Sequence, residues 1–315
     1  MNIEKKDNYD LIIIGSGPTG LYATYYACLK GLNVLMIESS TEYGGAPAKL
    51  YPDKPLYDIP GHCEITGMEL VSNMYKQLEQ FKTWQLKTSI FIVEIKKDNN
   101  GLYILLDKDN KEYKTKNILF ATGYGSFEFI GFEFELDHKI LNHIHHFVKD
   151  AKAFKNKNVI ICGGGDSAID YANFLSNIAR SICLIHRRQE LRAKQANVEK
   201  ASKKINMHLN YSIHKIDNKH IHIKHNEKTH EAKIEYDEII VLYGTKLLPN
   251  NIKIENLFNN VHKIDVDQNY QALHWPGIYA CGSANTNKQQ QTIITGIADA
   301  IRAIEHMINI NKTKN

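Results

Sequence analysis

The chain carries the same punctuation twice: an apolar run, a glycine-rich turn and the opening of a helix. The first copy is LIIIGSGPTGLYA, with Gly15, Gly17 and Gly20 in GxGxxG spacing. The second is VIICGGGDSAIDYA, with Gly163, Gly165 and Ala168 in the G/A variant of that spacing. Here the first glycine makes the tight turn, the second lets the backbone approach a pyrophosphate, and the third position packs helix on strand. The helix N-terminus then faces the anion. Each copy runs on into a second apolar strand, Asn33 to Glu38 and Ser181 to His186, so each is a βαβ unit with parallel strands. Pro18 near the first helical turn and Gly31 just past Lys30 bound the first helix. A chain of 315 residues has room for two domains. The sequence predicts an α/β protein of two Rossmann-like, three-layer ββα dinucleotide-binding domains, the second inserted in the first. The expected boundaries are 1–122 with 246–315, and 123–245.

The two copies differ where their second strands end. An acid about 20 residues beyond the first glycine binds the ribose hydroxyls of an adenosine. Glu38 lies 23 residues after Gly15, and the same count from Gly163 reaches His186, followed by Arg187, Arg188 and then Arg192. A carboxylate repels a 2′-phosphate, whereas guanidinium groups pair with one through two bonds. The first turn thus suits a nucleotide with a free 2′-hydroxyl, and the second suits NADPH. Charge-assisted bonds, discounted for exposure, make the arginines worth roughly 2–4 kcal/mol of NADPH preference, or about 30- to 1,000-fold. A hydride donor in one turn calls for an acceptor in the other. FAD fits, with its free adenosine ribose and its own redox chemistry. Ala121 to Gly123 (ATG) and Ala280 to Ala284 (ACGSA) end strands in small residues, as a bulky dinucleotide nearby requires.

Elsewhere, Gly44 to Gly61 is rich in glycine and proline and is expected to lack regular structure. Thr66 and Glu69 read as a capping box for a helix reaching about Phe81. Ile90 to Ile95 and Leu102 to Leu106 read as a hairpin turned at Gly101, and Asn117 to Gly123 as a strand. The second half continues with a helix from Asp166 to Ala179 and short strand-like pieces to Tyr243. It ends with a strand at Gly277 to Ala284 and a helix from Gln290 to about Ile308.

Composition narrows the function classes. With 43% hydrophobic and 23% charged residues the chain buries an ordinary core. Its net charge of +4 is interspersed rather than blocked, unlike that of a nucleic-acid protein. No stretch approaches the roughly 20 apolar residues of a membrane helix, and the N-terminus has no apolar leader, so a cytoplasmic protein is expected. No metal site is expected from His143, His145 and His146 or from His220, His222 and His225; the latter run alternates along a strand.

GGGDSAID, the run Leu184 to Ala193 and the C-terminal strand and helix resemble the pyridine nucleotide–disulfide oxidoreductase superfamily, in its two-domain thioredoxin-reductase-like branch. Within it, LYPDKPLYDIPG (Leu50 to Gly61), GYGSF (Gly123 to Phe127) and FVKDAKAF (Phe147 to Phe154) are similar to the thioredoxin-reductase-type ferredoxin–NADP reductases. The resemblance covers residues 8 to 307 or so. It implies that Gly15, Gly17, Pro18, Thr19, Gly20 and Glu38 hold the adenosine and pyrophosphate of FAD. It places Tyr51 and Phe127 near the isoalloxazine and gives Ile92 a backbone contact to adenine. Backbone amides at Gln290, Gln291 and Thr292 would face the N1–C2=O edge of the flavin. Gly282 and Ser283 would meet its ribityl–phosphate region. The same resemblance gives NADPH to Gly163, Gly165, Asp166, Ser167, His186, Arg187, Arg188 and Arg192. Three features depart from the family pattern: Ser283 replaces an Asp, Ala46 replaces a Gln after the glycine pair, and a C-terminal extension over the flavin is missing.

The cysteines choose between reactions. Cys28, Cys63, Cys162, Cys183 and Cys281 are scattered, and the nearest pair is 21 residues apart (183 − 162). Without a CxxC an internal dithiol cannot relay electrons to a disulfide. The resemblance then implies NADPH as donor, FAD as carrier and ferredoxin as acceptor, in a homodimer. A flavin reductase serving a quinone or other small oxidant is the alternative, and a non-catalytic FAD/NADPH-binding sensor a third.

Overall fold

The computed structural model describes residues 8–125, 127–247, 252–287 and 292–313. Chain contacts divide it into two compact units, Met1–Ser126 with Leu247–Asn315, and Phe127–Lys246.

The first unit is organised by one strand, Asn8–Ile14, whose alternate side chains serve two cores. Leu11 and Ile13 face the helices Pro18–Leu29 and Ile293–Thr313, meeting Ala23, Ala27, Ala300 and Ile304. Ile12 and Ile14 face the other way, toward Tyr103, Leu105 and Phe120. Parallel partners flank this strand: Val34–Ile37, with Trp84–Lys87 beyond it, on one side and Glu112–Phe120 on the other.

The strand Glu112–Phe120 is shared between layers. Its first half pairs antiparallel with Tyr103–Asp107, which pairs with Ile92–Lys97; its second half pairs parallel with Ile278–Ala280. The sequence shows why. EYKT alternates exposed and inward residues, as a sheet with one wet face does, whereas NILF is buried throughout, as a strand covered on both faces must be. The strand is longer than the expected 117–123 and ends at Phe120.

Segment 44–61 departs from its expected irregularity. It contains the short helix Gly45–Leu50 and the strand Pro55–Leu56, which pairs with Ile65–Thr66. Thr66 and Glu69 form the expected capping box at the start of Gly67–Leu78.

The second unit repeats the plan on a five-stranded parallel sheet. Its order is Ile144–His145, Glu238–Val241, Asn158–Cys162, Ser181–His186, Asn206–Leu209. The helix Asp166–Leu175 covers one face, ending four residues before the expected Ala179. An antiparallel sheet of Tyr211–Ile216, His220–His225 and Glu231–Glu235 covers the other through Ile216, Ile221 and Ile223.

Candidate functional site

Two sites emerge, one in each unit, at the ends of the parallel strands. In the first unit Ile14 is in register with both Ile37 and Phe120, and Phe120 with Ala280, so four strand ends finish level. The turn beyond them depends on close backbone approach. Gly15 sits at φ +104°, and a Cβ there would lie 2.5 Å from the Ala121 carbonyl oxygen. A Cβ on Gly20 would lie 2.0 Å from the carbonyl oxygen of Gly15. Gly17 is the N-cap, and Pro18 and Thr19 open the helix.

A second glycine pair leans on this turn. Gly44 N–H donates to the Ser16 carbonyl at 2.9 Å, and a Cβ on Gly45 would stand 2.7 Å from Gly17 Cα. The returning C-terminal segment packs against the same turn: Cβ atoms on Gly282 and Gly296 would stand 3.3 and 2.4 Å from the Thr19 hydroxyl oxygen. Gly282 N–H donates to the buried Asp299 carboxylate at 3.0 Å, and Ser283 follows in the single turn Gly282–Ala284. Thr292 and Thr295 cap the last helix reciprocally, each hydroxyl accepting the other's N–H at 3.2 and 2.9 Å. Gln290 and Gln291 lie outside the described residues.

Glu38 follows the strand Val34–Ile37 and is buried, with both oxygens engaged. Ser16 donates to Oε2 through its N–H at 3.0 Å and its hydroxyl at 2.7 Å. Oε1 accepts from Ser40 N–H at 2.9 Å and lies 3.5 Å from Lys49 Nζ. Burial pushes this carboxyl up, but the Ser40 and Ser16 hydrogen bonds and the Lys49 charge outweigh it, and the group is held below its ordinary value. It is therefore an anion at neutral pH. Ala46 is exposed on the short helix, Tyr51 caps that helix, and Ile92 is buried at the start of an outer strand. Phe127 opens the strand Phe127–Phe129 and falls in the second unit.

In the second unit Gly163 sits at φ +151°, where a Cβ would meet the Leu242 carbonyl oxygen at 2.7 Å. Gly165 caps the helix that Asp166 and Ser167 open. Beneath the middle glycine lies the His186 ring: a Cβ on Gly164 would stand 2.5–2.6 Å from three of its atoms. His186 is 9% exposed and its Nε2 has no hydrogen-bond partner. Burial lowers its pKa; a Glu190 backbone bond opposes this, and Arg188, Arg192 and Arg187 reinforce it. The ring is thus neutral at pH 7 with an orphaned acceptor. Arg187, Arg188 and Arg192 are all exposed. Their loop is strapped to the glycine turn, Arg192 N–H donating to Gly164 O at 2.8 Å and Lys194 N–H to Asp166 Oδ1 at 3.0 Å.

The thiols are poorly placed for exchange chemistry. All five cysteines are free, and only Cys63 is exposed. Burial pushes Cys183 up to about 12 and raises Cys28, Cys162 and Cys281, keeping them protonated at neutral pH. Among the described residues no group of three or more His, Cys, Asp or Glu is arranged to hold a metal ion. Ser16, Lys49, Gly296 and Asp299 join the first site without having been singled out in the sequence.

Residues 9–306 match the pyridine nucleotide-disulphide oxidoreductase family. A ferredoxin–NADP reductase of Mycoplasmoides gallisepticum is 35% identical, covering 98% of this chain and 95% of that protein. One from Streptococcus pyogenes serotype M1 is 36% identical over 97% and 94%. Among solved structures, thioredoxin reductase from Lactococcus lactis superposes with a TM-score of 0.80 at 25% identity, covering 96% of this chain and 98% of that one.

Proposed function

The chain belongs to the pyridine nucleotide-disulphide oxidoreductase family, and from that premise we propose that it is a ferredoxin–NADP reductase, oxidising NADPH and passing the electrons through FAD to ferredoxin. The observation that carries this reading is the pair of unlike strand ends behind two like turns. Glu38 stands behind one, and His186 with three arginines behind the other. The near full-length likeness to reductases of that name supports the acceptor. The absent CxxC argues against the disulfide chemistry of the structural relatives.

The residues present fit both cofactors. The first turn has no room for side chains at Gly15 and Gly20 and holds an ionised Glu38, as a pyrophosphate and a ribose diol require. Gly17, Pro18, Thr19, Gly282, Ser283 and Thr292 line the same end of that unit's fold and would hold the rest of FAD. When bound, FAD supplies the redox chemistry that links a hydride donor to a one-electron carrier. In the second unit the buried His186 ring supports the backbone of the glycine turn from beneath Gly164, and the exposed Arg187, Arg188 and Arg192 would hold the 2′-phosphate. No described helix is long and apolar enough to cross a membrane. A cytoplasmic homodimer belongs to the same proposal.

Stopped-flow mixing of the purified flavoprotein with NADPH tests it. The flavin absorbance is expected to bleach, and ferredoxin is expected to restore it faster than oxygen does. A flavin that NADPH does not reduce would overturn the reductase reading. Restoration no faster than with oxygen would overturn ferredoxin as acceptor.

A further inference from the structure

We infer that Lys49 is a further binding residue for the adenosine–pyrophosphate part of FAD, an inference that rests on the flavin reading of the first turn. Lys49 lies near the end of the helix Gly45–Leu50, which the glycine pair folds back onto the turn itself. The strap from Gly44 N–H to the Ser16 carbonyl fixes where this helix starts. Its ammonium consequently reaches Glu38 Oε1 at 3.5 Å and hydrogen-bonds the Ser40 hydroxyl. It is 38% exposed, so it faces the solvent side of a carboxylate that is itself buried.

Counting donors shows what a ligand must displace. A carboxylate offers about four lone-pair sites. Glu38 already receives the Ser16 and Ser40 backbone N–H groups, the Ser16 and Ser39 hydroxyls, and Lys49. A ribose diol brings two more O–H donors. The backbone donors are fixed, so the diol must take the places of side chains, and the two long contacts, Ser39 at 3.3 Å and Lys49 at 3.5 Å, are the weakest held. Lys49 then stays tethered beside the nucleotide with its charge uncompensated. A doubly negative pyrophosphate enters a seat that already holds the Glu38 anion. Lys49 is the cation that offsets it, and the freed ammonium would bond the nucleotide's oxygens.

Apoprotein titrated with FAD, with ADP as competitor and with FMN as a flavin lacking adenosine tests the assignment through binding alone. Lys49→Met is expected to weaken FAD and ADP by a common factor of about 5 to 30 while leaving FMN unchanged, with a small fall in melting temperature from the loss of Glu38's cation partner. Lys49→Arg should restore FAD affinity to within about twofold, since it keeps the charge and the donors. Parent-like FAD affinity in Lys49→Met, or an equal loss for FMN, would overturn the role of Lys49 while leaving the flavin reading intact. A parent apoprotein that binds neither FAD nor ADP would overturn both.

Discussion

His186 is held under Gly164 by shape, and shape sets its charge. Its folded pKa is depressed from 6.5, so the unfolded chain takes up a proton that the folded chain resists. The stability this contributes is complete above about 6.5 and is lost progressively as pH falls below that value and through the lower folded pKa. His186→Asn should therefore melt with a flatter pH dependence than the parent between about pH 7 and 5, which thermal unfolding across a pH series checks. The neighbouring arginines are the proposed contacts to the ligand. Exchanging Arg187, Arg188 and Arg192 for Ala together should raise the KM for NADPH by roughly 30- to 1,000-fold and leave that for NADH nearly unchanged. Steady-state kinetics with both nucleotides measures the ratio. These residues were legible in the sequence because strand, turn and helix have fixed lengths, so equal counts from Gly15 and Gly163 reach equivalent places. Lys49 and Gly296 were not legible. They reach the turn through a folded-back loop and through a helix some 280 residues away, and no local spacing encodes such a return.

Single elements follow local chemistry closely where a terminus is well marked. Thr66 accepts from Glu69 N–H at 3.2 Å, and Glu69 accepts from Thr66 N–H at 3.0 Å. Thr66→Ala should cost about 1 kcal/mol, lowering the melting temperature by roughly 2–4 °C, which calorimetry resolves. The first helix is marked as clearly: after Leu29 the chain turns out at Gly31, φ +78°, with Leu32 N–H bonded back to Ala27 O at 3.1 Å. Segment 44–61 gave the opposite result. Its prolines and glycines argued for irregular chain, yet Gly45–Leu50 is helical because its ends are held by the turn, by Val71 beside Gly44 and by Pro47 and Tyr51 packed on Gly67. The double duty of Glu112–Phe120 was partly written in its change from alternating to continuous burial, but its partners were not.

On the scale of the molecule, charge is divided as the sites are. Residues 127–246 hold 19 Lys and Arg against 15 Asp and Glu, so the net +4 of the chain resides there, while the remainder balances 20 against 20. The basic unit carries the three exposed arginines proposed to hold an anionic cofactor. NADPH affinity should therefore fall as ionic strength rises through about 0.1 M, where the Debye length is about 10 Å. FAD retention, in a neutral unit and beside a buried anion, should change much less. Paired titrations at several salt concentrations separate the two.

The inserted unit also imposes an order of events during synthesis. Phe120 is in place long before its partner Ala280 exists, and the helix that covers Ala23 and Ala27 begins only at Ile293. A ribosome adding about 5–20 residues per second takes roughly 8 to 32 s to span that interval. Throughout it the edge of Ile118–Phe120 and the Ala23 and Ala27 side of the first helix are uncovered, while the second unit is being made and is complete only after Lys246. The nascent chain is thus at its most adhesive between the two halves of the first unit, and the strand Ile278–Ala280 and the helix Ile293–Thr313 end that exposure.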